Sequence, residues 1–211
     1  MSDRPPPDPR RHGTWLALTA LAYAACHHLG SVPDGLGAAG SGTRVADWLD
    51  LLVPFLVLAP ALLTLAAAGA GRTVWGCFAA ASWLYATGHG IHLAANSIGN
   101  AAPGETAHLW DEYAGHYLWY AGVVGVAVTL ATTMRGRARP RRVPAYLLAV
   151  AVGLTWATNA NGGESWVAGL LVAAVAAWVG WRRRGEQLVL VGVAGAAATV
   201  FLVVTDLVPL L

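Results

Sequence analysis

The sequence of 211 residues contains no lysine, only two cysteines and few charges of either sign. Charged residues make up 11% of it, where a soluble domain carries about a quarter. Each shortage excludes something. Without a lysine amine no Schiff base to retinal can form, which removes rhodopsin-type photochemistry. Two cysteines do not make a disulfide scaffold, and Cys26 and Cys77 are expected near opposite ends of their helices, beyond bonding distance. An apolar content of 56% and a mean hydropathy of +0.53 exclude a disordered chain. What remains is a polytopic membrane protein.

A hydrocarbon core of about 30 Å is crossed by roughly 20 apolar residues in a helix, and backbone facing lipid must satisfy its own hydrogen bonds. Seven stretches qualify, approximately Thr14–Gly30, Ala46–Ala68, Thr73–Ala95, Ala107–Thr133, Val143–Asn159, Ser165–Trp181 and Gln187–Leu211. The expectation is therefore an all-α, polytopic membrane helix bundle with about seven transmembrane helices, forming one domain over residues 14–211. Residues 1–13, with their Arg-Pro-Pro-Pro-Asp-Pro run, read as a flexible cytosolic tail. The first stretch lacks a convincing cleavage region, so it is not read as a secretory signal.

Orientation follows from the arginines. Arg4, Arg10, Arg11, Arg72, the five between 135 and 142, and Arg182 to Arg184 fall on one side of this plan; Arg44 alone falls on the other. The positive-inside rule then places the N-terminus in the cytoplasm and the C-terminus outside. The Ala/Gly/Arg-rich, lysine-free usage suggests a bacterial cytoplasmic membrane. In a soluble protein Arg135–Arg142 would suggest nucleic acid; between spans it reads as a loop touching anionic lipid headgroups, and no nucleic-acid partner is expected.

The acids gather opposite the arginines. Asp34, Asp47, Asp50, Glu105, Asp111, Glu112, Glu164 and Asp206 lie toward the outer side, as do six of the seven histidines. Ionisable groups at membrane depth are costly and usually mark function. Tyr85, His89, His92 and Asn96 step by four, three and four residues, one stripe of a helix. His108, Glu112 and His116 follow at i, i+4 and i+8 on the next helix, with Asp111 in reach. The short connection Ser97–Thr106 makes the two helices antiparallel neighbours, their polar stripes near one end.

Imidazoles with one or two carboxylates are what a transition metal takes, and helix bundles build such sites from facing helices. The preferred ligands are His92, His116 and Glu112, with His89, His108 and, from the first helix, His27 as further candidates. Asp111, Asn96 and Tyr85 are expected to orient these imidazoles by hydrogen bonds, and whichever of Asp111 and Glu112 does not ligate would be the general base. Asp47 and Asp50 share a face at i and i+3 and read foremost as helix-start acids. Thr158 to Glu164 reads as an outer turn, and Asp206 as a polar contact or an interfacial residue.

The function this implies is a metal-dependent membrane enzyme, its site in the outer half of the bundle, acting on a lipid or other apolar small molecule. The metal would be Zn, Fe or Cu, with hydrolytic or oxidative chemistry accordingly. Three alternatives stay open: a haem-binding electron-transfer protein, with His27 and His92 or His116 as axial ligands, a transporter or metal-handling protein, and an accessory or scaffold protein without chemistry. Transport is disfavoured because the inner halves of the helices carry few ionisable residues. The sequence sets no oligomeric state.

Overall fold

The computed structural model describes residues 8–162 and 165–208. The structure is all-α and 82% helical, with seven helices among the described residues. They are α1 (Pro9–Cys26), α2 (Val45–Ala68), α3 (Arg72–Ala101), α4 (Glu105–Met134), α5 (Val143–Gly162), α6 (Trp166–Arg182) and α7 (Val189–Leu207). Four of these, α2, α4, α5 and α7, are long and apolar enough to cross a membrane; α6 is apolar but shorter. The chain divides into two compact units, residues 1–130 and 131–211.

In the first unit α1 starts earlier than expected. The Asp8 side chain accepts from the backbone N–H of Arg10 and Arg11 at 3.0 and 3.1 Å, and Pro9 occupies the first turn, where its missing N–H costs nothing. Residues 9–13 of the expected tail are thus helical, while 1–7, including Arg4, lie outside the described residues. The Asp8 N–H also donates to Ala67 O, tying this end of α1 to α2. Between the two helices runs a small hairpin, β1 (Ala38–Gly40) and β2 (Thr43–Arg44), turned by Ser41 and Gly42 at positive φ. Asp47 caps α2 as expected: Arg44 N–H donates to it at 2.8 Å and the Arg44 guanidinium at 2.7 Å. Helix α2 is interrupted at Leu51–Leu52 and stops at Gly69, which is left-handed at φ 66°.

Helices α3 and α4 form the predicted antiparallel hairpin, but α3 runs on to Ala101, so the connection shrinks to residues 102–104. Their backbones touch. A Cβ added at Gly88 would collide with the Trp119 backbone, and one at Gly122 with the backbone of Tyr85. Small residues permit this close approach, which dispersion and packing reward where lipid offers no hydrophobic drive.

The second unit is a three-helix assembly of α5, α6 and α7, again drawn close at small residues: Gly153 lies on Ala194 and Gly180 on Gly192. Helix α5 continues through Gly162, so the outer turn expected from Thr158 is helical; Gly163 and Glu164 lie outside the described residues. Asp206 makes a polar contact within the unit, accepting from Asn161 Nδ2 at 2.6 Å. The arginine-rich loop before α5 is anchored by Glu186. Its carboxylate accepts from Gly136 N–H at 2.9 Å and from the Arg183 guanidinium at 3.0 Å. The Gly136 N–H, followed by Arg183, holds this carboxyl below its ordinary pKa.

Candidate metal centre

The polar stripes of α3 and α4 meet as expected, by a geometry that the 3.6-residue repeat does not give. Leu109–Gly115 winds as a π-helical turn. Its i→i+5 bonds make the turn wider than an α-helical one, which shifts the register of every residue before it relative to those after. Asp111, five residues before His116, is brought over the same face, while His108 falls outside the group, exposed and edge-on to Tyr113 at 5.8 Å. Gly115 lets this wider turn sit against α3, since a Cβ there would strike the His92 backbone.

His92, Asp111 and His116 are the group that results, their ligand atoms all within 4.8 Å of one another. His92 Nδ1 lies 2.5 Å from Asp111 Oδ1, and the second Asp111 oxygen accepts from Asn96 Nδ2 at 3.3 Å. The His92 and His116 rings are 4.3 Å apart between centroids. Glu112 Oε2 stands 3.3 Å from His116 Nδ1. Asp111 and His116 are buried, and His92 and Glu112 are half-buried.

Two further histidines lie beside this group, each engaged differently. His89 is only 2% exposed and its Nε2–H donates to the backbone carbonyl of Asp50 at 3.0 Å. That carbonyl is open for a reason legible in the sequence: its helical partner would be the N–H of residue 54, which is Pro54 and has none. Asp50 therefore belongs to the site rather than to the helix start, its carboxylate Oδ1 at 3.4 Å from the same nitrogen. His27 lies near Tyr23 O at 3.1 Å through Nδ1 and near Tyr85 OH at 2.7 Å through Nε2. A carbonyl only accepts, so Nδ1 is the donor and the Tyr85 hydroxyl donates to Nε2. Both His27 nitrogens are thereby occupied.

Trp119, one turn after His116, has no signal in the sequence and stands at the centre. Its ring packs on His27, His89, His92 and His116 at centroid distances of 5.6, 4.8, 5.4 and 5.7 Å. It is 5% exposed, and its Nε1–H has no partner among the described residues. The glycines at 88, 115 and 122 were the available hint that helices meet here, but they do not say around which side chain. Cys26 and Cys77 are both free thiols. On the same hairpin, Ile91, Ala94, Ala95, Ile98, Ala107 and Trp110 line an open, mainly apolar cleft of about 610 Å³.

Comparison with protein-family models, with curated proteins and with solved structures finds no match for this chain.

Proposed function

We propose that this chain is an integral membrane protein that holds a transition-metal ion at His92 and His116, beside Asp111, and uses it to act on a lipid or other apolar substrate. The observation that carries the reading is the convergence of those three side chains within 4.8 Å, drawn from two helices and set against buried surroundings. Two imidazoles and a carboxylate suit Zn, Fe or Cu. Such an ion would polarise a carbonyl or lower the pKa of a bound water, and Glu112, its Oε2 3.3 Å from His116 Nδ1, would be the base that takes the proton. The apolar cleft on the same hairpin supports a substrate drawn from the membrane.

The arginine asymmetry supports a cytoplasmic N-terminus and an outer C-terminus, with the site toward the outer side of a bacterial cytoplasmic membrane. Haem ligation through His27 is the weaker reading, since His27 Nε2 would first have to give up the Tyr85 hydroxyl.

The test is metal content. Protein purified in detergent from metal-replete cells is expected to carry a near-stoichiometric transition metal by mass spectrometry, and His92→Ala and His116→Ala to lose it. Absence of metal in the wild type, or unchanged stoichiometry in both variants, overturns the proposal.

A further inference from the structure

The two arginine runs of the second unit, the five between 135 and 142 and Arg182 to Arg184, are far apart in sequence and joined in the fold. Gln187 N–H donates to Arg137 O at 2.8 Å, and Ala138 pairs with Glu186 as an antiparallel bridge. One oxygen of the Glu186 carboxylate accepts from Gly136 N–H at 2.9 Å, the other from the Arg183 guanidinium at 3.0 Å. The loop before α5 and the turn before α7 are thus clasped together. Eight guanidinium groups share this end of the unit with the Glu186 carboxylate, while Asp206 lies at the far end of α7.

Orientation in a membrane needs the positive charges on one side; it does not need them clasped. Gathering like charges is unfavourable unless an anion sits among them. Arg137 Nε donates to Thr133 O at 2.7 Å and Arg139 Nε to the Tyr146 hydroxyl at 2.8 Å. Arg141, Arg142, Arg182 and Arg184 are exposed and meet no oxygen acceptor among the described residues. Two of these lie over indoles, Arg182 over Trp178 at 5.4 Å and Arg184 over Trp181 at 5.2 Å. Both tryptophans are exposed at the end of an apolar helix, the position of an interfacial anchor, so the guanidinium groups above them stand at headgroup depth. The planar guanidinium fork matches two oxygens of a phosphate, and the anion plentiful at that depth is a lipid phosphodiester.

We infer that the clasped loops form a binding site for the headgroup of an anionic phospholipid. Arg141, Arg142, Arg182 and Arg184 contact its phosphodiester, and Glu186 is the positioning residue that holds the two loops in one site. The inference stands apart from the proposed metal centre, whose residues all belong to the first unit.

The experiment titrates full-length, delipidated protein in detergent with phosphatidylglycerol or with phosphatidylcholine, whose choline the arginines repel, and counts bound lipid by native mass spectrometry. Phosphatidylglycerol is expected to bind about tenfold more tightly or better, and millimolar inorganic phosphate not to displace it. Arg141→Gln removes a side chain that the fold does not use and is expected to weaken phosphatidylglycerol binding about fivefold. Glu186→Gln is the sharper variant. It makes the protein more positive by one charge, so attraction by charge alone would tighten binding, whereas loss of the clasp is expected to weaken it at least as much as Arg141→Gln. Equal retention of the two lipids, displacement by free phosphate, or Glu186→Gln binding as tightly as the wild type overturns the inference. Circular dichroism checks that Glu186→Gln keeps its helices. If it does not, Arg141→Gln and Arg184→Gln, one on each loop, decide the matter: both weaken binding if the site is shared, and an effect in only one of them overturns it.

Discussion

Tyr85 shows how much of this interior depends on single atoms. Its hydroxyl is the donor to His27 Nε2, and the ring is 1% exposed. Tyr85→Phe keeps the ring and leaves that nitrogen a buried, unmatched acceptor, which costs about 1–3 kcal/mol. Denaturation in detergent should show a loss of this size, and an unaltered stability would mean the bond contributes nothing. The sequence pointed to Tyr85, His89, His92 and Asn96 as one stripe, and they do share a side of α3 facing α4 and its neighbours. It did not reveal Trp119, because a tryptophan in an apolar helix looks the same whether it faces lipid or four imidazoles. Nor did it reveal Asp50, since an acid early in a helix has an ordinary electrostatic explanation. Pro54 does carry that information, because a proline four residues on frees the Asp50 carbonyl.

At the scale of elements, the helices were legible because apolar length and polar interruption are strong signals, and their ends shifted by only a few residues. The π-helical turn Leu109–Gly115 was not legible, since periodicity arguments assume the α-helical repeat. Deleting Ala114 tests its importance. Removal of one residue lets the turn relax to an α-helix in which Asp111 stands four residues before His116 and keeps its face. Helix content by circular dichroism and the proposed metal should both persist; loss of the metal with helix content intact would show that the wider turn itself is needed to seat Asp111.

The loop before α5 offers a pH prediction. Glu186 accepts from Gly136 N–H and Arg183, which hold its pKa below the ordinary value. A carboxyl depressed in the folded state stabilises it above the unfolded pKa, and that contribution is lost as pH falls through the folded pKa. Hydrogen exchange at Gly136 should therefore accelerate in the acid range below the ordinary glutamate pKa, at otherwise constant intrinsic rate. The Glu186→Gln variant should exchange faster already at neutral pH and show little of this dependence.

For the whole molecule, the strongest sequence signal is the separation of arginines from acids and histidines along the chain. The proposed orientation is open to direct labelling. In a background with Cys26→Ser and Cys77→Ser, Ala39→Cys in the β1 hairpin strand should react with an impermeant maleimide added outside intact cells. Gly185→Cys, between α6 and α7, should react only after permeabilisation. The reverse pattern would invert the topology and put the histidine group at the cytoplasmic side.

Four imidazoles leaning on the indole of Trp119 cannot re-orient independently. A tilt of His116 alters the wall against which His27 packs, although the two sit on α4 and α1 and share no hydrogen bond in the network described. Residues that share a packed partner couple energetically, by roughly 0.5–3 kcal/mol where such effects are measured. The four histidines around Trp119 thus share one packed partner, and a substitution at the His92–His116 end is expected to be felt in stability at the Tyr85–His27 end.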